Sequence, residues 1–141
     1  MSTLKVTNVA HETSTLNTLV FDNGGGSGNG RVTTKGTIGE ISAVSYASTI
    51  TLDFRTANNF STTLTGNVTF ANPSNISAGQ SGVFFITQDG TGSRTAAFGT
   101  YWDFSDGTAP TLSTGANQVD VIAWIARTNT NIAAQFIGNF S

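Results

Sequence analysis

Hydrophobic and polar residues alternate along much of the chain after residue 44. The clearest case is residues 46–54, where Ile50, Leu52 and Phe54 occupy every second position. A period of two places all three side chains on one face of a β-strand. The pattern therefore predicts a strand with one buried face.

Further short segments of the same kind follow, separated by turn residues. Residues 60–64 and 68–70 flank Thr65, Gly66 and Asn67, which predicts a hairpin with a glycine-containing turn. Residues 82–87 are apolar on both faces, which predicts a central strand. The remaining predicted strands are residues 94–98, 101–104, 119–126 and 132–137. Short strands separated by turns predict an all-β fold, a single antiparallel β-sandwich that is jelly-roll-like.

The N-terminal part of the chain has a different pattern. Residues 24–30 consist of five glycines, one serine and one asparagine, and such a run is typical of a flexible linker. We therefore predict an extended N-terminal arm at residues 1–43 and a β-sandwich body at residues 44–141. Within the arm, residues 4–9 form a short β-like stretch.

Composition adds to this picture. The chain of 141 residues is 38% hydrophobic and 10% charged, with a net charge of -2 and 10 Phe. Ten Phe with so little charge favour a folded chain over a disordered one. A surface of Thr, Ser and Asn has little charge to desolvate, so it packs readily against other proteins. No run reaches the roughly 20 apolar residues that cross a bilayer, and scattered basic residues predict no nucleic-acid partner.

Candidate chemistry is sparse. The chain has no cysteine and one histidine, His11, which we expect to be exposed or to contact a partner of the arm. Asp89 and Asp106 each precede a glycine, and the dipeptide Asp-Gly is typical of turns. Calcium ligation and sugar binding remain open for the acidic residues near position 103. We predict no catalytic residue, no cofactor and no metal site, and hence a protein that is not an enzyme.

One group of residues could contact a glycan, because flat rings stack on sugar faces and carboxylates accept bonds from sugar hydroxyls. The candidates are Tyr101, Trp102, Asp103 and Asp106. Large aromatic side chains in a small sandwich are also common core residues. Both interpretations stay open at this point.

Several strings of residues resemble a known type of protein. The most specific is Gln-Asp-Gly-Thr-Gly-Ser-Arg-Thr at residues 88–95, and others are found at residues 64–70, 78–82, 107–112 and 119–121. Their order is similar to that in a β-sandwich domain of tailed-bacteriophage virion appendage proteins, of the tail fibre or head decoration type. The resemblance covers residues 46–141, and residues 2–6 look like the opening of many such fibre proteins.

The resemblance implies a structural virion protein that assembles with itself, commonly as a homotrimer, and has no catalytic residues. Such a protein is made in the host cytoplasm and then joins the phage particle as a capsid decoration, head fibre, or tail or collar appendage. We expect the arm to dock on another virion structural protein, in the capsid or tail, through Leu4, Lys5, Val6 and Val9. The alternative is a host-surface carbohydrate-binding module of a tail fibre.

Overall fold

A computed structural model describes residues 38–140 of the chain. These residues form nine strands and a single short 3-10 turn at Ser105–Gly107. The strands are β1 (Ile41–Ala43), β2 (Thr49–Ile50), β3 (Asn59–Leu64), β4 (Val68–Phe70), β5 (Ser81–Gln88), β6 (Ala96–Phe98), β7 (Trp102–Phe104), β8 (Val119–Thr128) and β9 (Asn131–Phe140). The predicted linker at residues 24–30 and the predicted arm strand at residues 4–9 lie outside the described residues.

The strands form two sheets, as expected for an all-β sandwich. The large sheet has the order β1-β3-β5-β8-β9-β7, and the small sheet has the order β2-β4-β6. Because β1 pairs with β3, residues 41–43 belong to the body and not to the arm. The body therefore begins a few residues before position 44.

Successive strands from β1 to β7 lie in opposite sheets, so the chain winds around the core as a coil. Each of the strands β1 to β4 pairs in parallel with the strand two places further along the chain, as β1 does with β3 and β2 with β4. The β8–β9 hairpin is placed between β5 and β7, and β7 pairs in parallel with β9. Only the β5–β8 and β8–β9 pairs are antiparallel. The expected antiparallel, jelly-roll-like pairing is thus wrong for most strands, although the sandwich itself is confirmed.

The hairpin predicted around Gly66 is also wrong. Strand β3 lies in the large sheet and β4 in the small sheet, so the turn between them carries the chain across the core. Asn67 at this turn holds the neighbouring segments together, since its side-chain oxygen accepts from the Thr95 N–H and its carbonyl oxygen accepts from the Tyr46 hydroxyl. The turn is therefore stabilised by the preceding segment at Tyr46 and the following segment at Thr95, and not by a pairing of β3 with β4.

The core lies between the two sheets and is dominated by aromatic rings. Phe54 is central, with its ring stacked on Trp124 at a centroid distance of 4.1 Å and on Phe60 at 5.7 Å. A second group is centred on Phe98, which contacts Phe70, Trp102 and Phe104. Stacked and edge-to-face rings of this kind add to the stabilisation that burial alone provides.

The alternating burial predicted for residues 46–54 is confirmed, because Ile50, Leu52 and Phe54 are all buried. The strand itself is short and ends at Ile50. The segment that follows β4 contains Pro73, which has no N–H to donate, and the hydrogen-bond ladder between this segment and residues 51–54 is interrupted there. Hydrogen bonds resume at Ser74, which donates to the Leu52 carbonyl and accepts from the Phe54 N–H.

Candidate functional site

Residues 88–95, the most specific string in the sequence, form a closed loop between β5 and β6. The side chain of Gln88 makes two hydrogen bonds with the main chain of Arg94, each of 2.9 Å. Its Nε2 donates to the Arg94 carbonyl oxygen, and its Oε1 accepts from the Arg94 N–H. Gln88 is only 1% exposed. The amide therefore replaces water as the partner of two buried main-chain groups.

Asp89 stabilises the same loop through hydrogen bonds of its side chain. Its carboxylate accepts from the Arg94 guanidinium, with a shortest distance of 2.8 Å, and from the N–H groups of Thr91 and Gly92. The predicted turn, with the Asp89 side chain bonded to the main chain two residues on, is confirmed. Gly92 has a φ of +74°, and a Cβ at this position would lie 2.5 Å from the Thr114 carbonyl oxygen. The loop therefore needs glycine there.

The other carboxylates of this half of the chain are not brought together. Asp120 is buried, and it accepts from the N–H groups of Ser113 at 2.8 Å and Asn139 at 3.0 Å. Asp103 is on the surface, 3.3 Å from the Arg127 guanidinium. Asp106 is exposed in the 3-10 turn at φ +59°, and it shows no side-chain bond of the kind expected for an Asp-Gly turn. No group of three or more His, Cys, Asp or Glu in residues 38–140 could hold a metal ion.

The aromatic residues proposed for glycan contact divide between core and surface. Trp102 is 6% exposed, its Nε1 donates to the Ala71 carbonyl oxygen, and its ring packs edge-on against Phe98. Tyr101 is half-buried against the core. A ring must present its flat face to solvent to stack on a sugar, so Trp102 serves the core in this structure.

A shallow groove of about 550 Å³ lies beside Asp103, on strands β7, β8 and β9. Its floor includes Ala123, Ile125 and Ala133, and its polar rim includes Asp103 and Gln135. The groove is the edge of a larger surface, the outward side of the large sheet. We call this surface the outer face.

None of the large hydrophobic residues exposed on the outer face was among the site residues predicted from the sequence. Four of its large hydrophobic side chains are 45–52% exposed, namely Ile41, Ile125, Ile137 and Phe140. A signal was present in the sequence, because residues 82–87 and 119–126 are apolar on both faces. We interpreted this pattern in residues 82–87 as that of a central strand, and the structure leaves the second apolar set of β5 and β8 on the outward side of the sheet.

Two surface carboxylates give the stability of the body a defined pH dependence. The Arg94 guanidinium, followed by the Gly92 and Thr91 N–H groups, lowers the pKa of Asp89 from 3.8. The Asn75 amide, followed by the Arg55 N–H, does the same for Asp53. A carboxylate whose pKa is lower in the folded state stabilises the fold above the unfolded pKa and loses that effect as the pH falls through the folded pKa.

We therefore expect the melting temperature to change little from pH 7 to about pH 5 on account of these groups, and to fall below about pH 4. Circular dichroism melts between pH 7 and pH 2 measure this. In Asp89→Asn and Asp53→Asn the melting temperature is lower at pH 7 and falls less on acidification. A fall of the same size in wild type and in both variants would contradict the assignment.

Comparison with known proteins places this fold in a family. No helix among the described residues is long and apolar enough to span a membrane. No curated protein and no solved structure matches the chain. The model of one protein family, described as "Putative phage tail fibre C-terminal domain", matches residues 33–129, which include the loop at residues 88–95 and eight complete strands. This match covers more than half of the chain, so the protein belongs to the phage tail fibre C-terminal domain family and is a virion-associated structural protein.

Proposed function

We propose that this protein is an assembly module of a phage appendage, which associates with itself as a homotrimer and is attached to the particle through its N-terminal arm. The observation that carries the proposal is the contrast between its polar and apolar surfaces. The polar groups of its most specific loop bind each other, while the outer face leaves large hydrophobic side chains in solvent. Exposed apolar patches of this kind are typical of protein interfaces.

The arrangement of carboxylates gives further support to a structural role. A glycoside hydrolase needs two carboxyl groups that flank one cleft. Here Asp89 is bonded to Arg94, and Asp120 is buried against two main-chain N–H groups. Both carboxylates stabilise loops of the body. The family is itself structural, and we infer that the protein has no catalytic activity.

Attachment is assigned to the arm, with Leu4 and Val6 as the main contacts. These two residues alternate with Lys5, which suits a strand that is added to the open edge of a sheet on another virion protein. The partner is a structural protein of the tail, or of the capsid if the module decorates the head. Synthesis in the host cytoplasm and assembly there complete the proposal.

Removal of residues 1–30 tests the attachment. We expect the shortened protein to be folded, because the described strands all lie beyond this segment, and to be absent from particles. The measurement is the occupancy of the protein in particles from a complementation experiment, with the melting temperature as a check of folding. A shortened protein that joins particles at normal occupancy would exclude the arm as the point of attachment.

A further inference from the structure

Large exposed hydrophobic side chains are concentrated on one side of the molecule. Among the described residues five are exposed, and the four that lie in strands are all on the outer face. The register shows that they share this face. Ile41 is paired with Asn59, and Ile125 with Ala133, in outward-facing rows of the large sheet.

The centre of the outer face is a continuous apolar row across three strands. Phe85 of β5 is paired with Val121 of β8, and Val121 is paired with Ile137 of β9. The neighbouring row places Val83 beside Ala123. These are the longest strands of the sheet, so the apolar row lies in its most extended part.

The outer face carries almost no charge. Asp103 and Arg127 are the charged side chains of its strands that face outward, and they are 3.3 Å apart at one end, whereas Asp120 of β8 is buried. Two such surfaces can therefore approach each other without charge repulsion and without burying an unpaired charge. A basic or acidic partner would find no complementary group at the centre of this face.

The outward side of the small sheet provides an internal comparison. It presents Thr49, Thr69 and Ala97, which are exposed and are small or polar. The same chain thus builds one outward surface that suits water and one that does not. This difference shows that the apolar character of the outer face is not a general property of the strands.

We propose that the outer face is covered by further copies of this chain and forms the centre of the self-assembled module. The inference rests on the self-association in the proposed function and adds the surface through which it occurs. Its lack of net charge suits a like-with-like contact. Face-to-face packing of sheets about 10 Å apart is a common way to bury such surfaces.

The size of the surface is adequate for a stable contact. Six strands spaced about 4.8 Å apart make a sheet roughly 29 Å wide, and the ten-residue strands β8 and β9 extend for roughly 33 Å. Specific interfaces bury about 800 Å² on each partner. Strands β1 and β7 have three residues each, so the full length belongs to β8 and β9, and the sheet supplies an area of the same order of magnitude from one side.

The first test is the mass of the full-length protein in native buffer, for wild type, Ile137→Lys and Thr69→Lys. Lysine at position 137 would be placed in the apolar contact, whereas Thr69 on the small sheet is the matched control. The homotrimer has three times the subunit mass of 14.6 kDa. We expect Ile137→Lys to run at the subunit mass and Thr69→Lys to keep the wild-type mass.

A second test needs no disruptive substitution. The chain has no cysteine, so one introduced thiol is unique. Ala123→Cys, on the outer face, is expected to give covalently linked pairs of subunits with a short bismaleimide, and Thr69→Cys is expected to stay at the subunit mass on a denaturing gel. This test decides the question if Ile137→Lys does not fold.

The outcomes separate this inference from the proposed function. A wild-type trimer that survives Ile137→Lys, with no cross-link at position 123, would overturn the outer face as the contact and leave the trimer intact. A dimer that is lost in Ile137→Lys would support the outer face and contradict the trimer. A monomeric wild-type protein would overturn both self-association and this inference, while attachment through the arm would still be decided by particle occupancy.

Discussion

Phe54→Ala is expected to lower the free energy of unfolding by about 3–5 kcal/mol. Phe54 is 2% exposed and stacks between Trp124 and Phe60, so its removal leaves a cavity between the two sheets. A domain has only about 5–15 kcal/mol of stability in total. This single substitution should therefore remove a large share of it.

Urea unfolding followed by tryptophan fluorescence measures this loss directly, because Trp124 and Trp102 both lie against the Phe54 ring. Phe54→Leu is the matched control, since it keeps part of the buried volume and should cost clearly less. All variants must be compared at one protein concentration, because the proposed self-association would add to the apparent stability. Equal losses in Phe54→Ala and Phe54→Leu would contradict the cavity as the cause, because leucine fills part of the buried volume that alanine leaves empty.

Gln88→Leu is expected to lower the free energy of unfolding by roughly 2–6 kcal/mol, although leucine is apolar and of similar size. The substitution leaves the Arg94 N–H and carbonyl oxygen without their partners, and each such buried group costs about 1–3 kcal/mol. The result would show that residues 88–95 are required for the geometry of this loop.

The control for this substitution is Thr69→Leu. Thr69 is exposed on the outward side of the small sheet, away from the outer face, so its replacement should change stability by no more than about 0.5 kcal/mol. The measurement is again urea unfolding of both variants. A loss below 1 kcal/mol in Gln88→Leu would mean that water replaces the amide in the opened loop, which would contradict its assigned role.

The strands that could be predicted from the sequence are those with a strong local signal. Strand β5 was expected to be central because it is apolar on both faces, and it lies third of six in the large sheet. The β8–β9 hairpin follows from the turn residues at Asn129 and Thr130. In both cases the prediction depends only on residues that are close together in the sequence.

The connection between β3 and β4 shows why the topology could not be predicted. Strands joined by a short glycine-containing turn have the same alternating pattern whether they pair with each other or face each other across a core. Phe60 and Phe70 are buried from opposite sheets, and a hairpin would also have buried both. Local sequence specifies a buried face here but not the sheet to which it belongs.

The candidate site was predictable only in part for a similar reason. The turn at Asp89 could be deduced from its neighbours, whereas the two bonds between Gln88 and the Arg94 main chain depend on the path of the whole loop. Trp102 illustrates the reverse case. Its flat ring could stack on a sugar, but its position beside Phe54 and Phe98 places it in the core.

The alternation of strands between the two sheets has a consequence for how the protein reaches its native state. No strand from β1 to β7 pairs with its immediate neighbour in the chain, so each parallel pair requires a loop to close first, and such non-local pairing is slow. Strand β7 has its partner only after β9 has been synthesised, since Trp102 pairs with Ile132. During translation on the ribosome, the edge of the large sheet therefore stays incomplete until the β8–β9 hairpin has emerged.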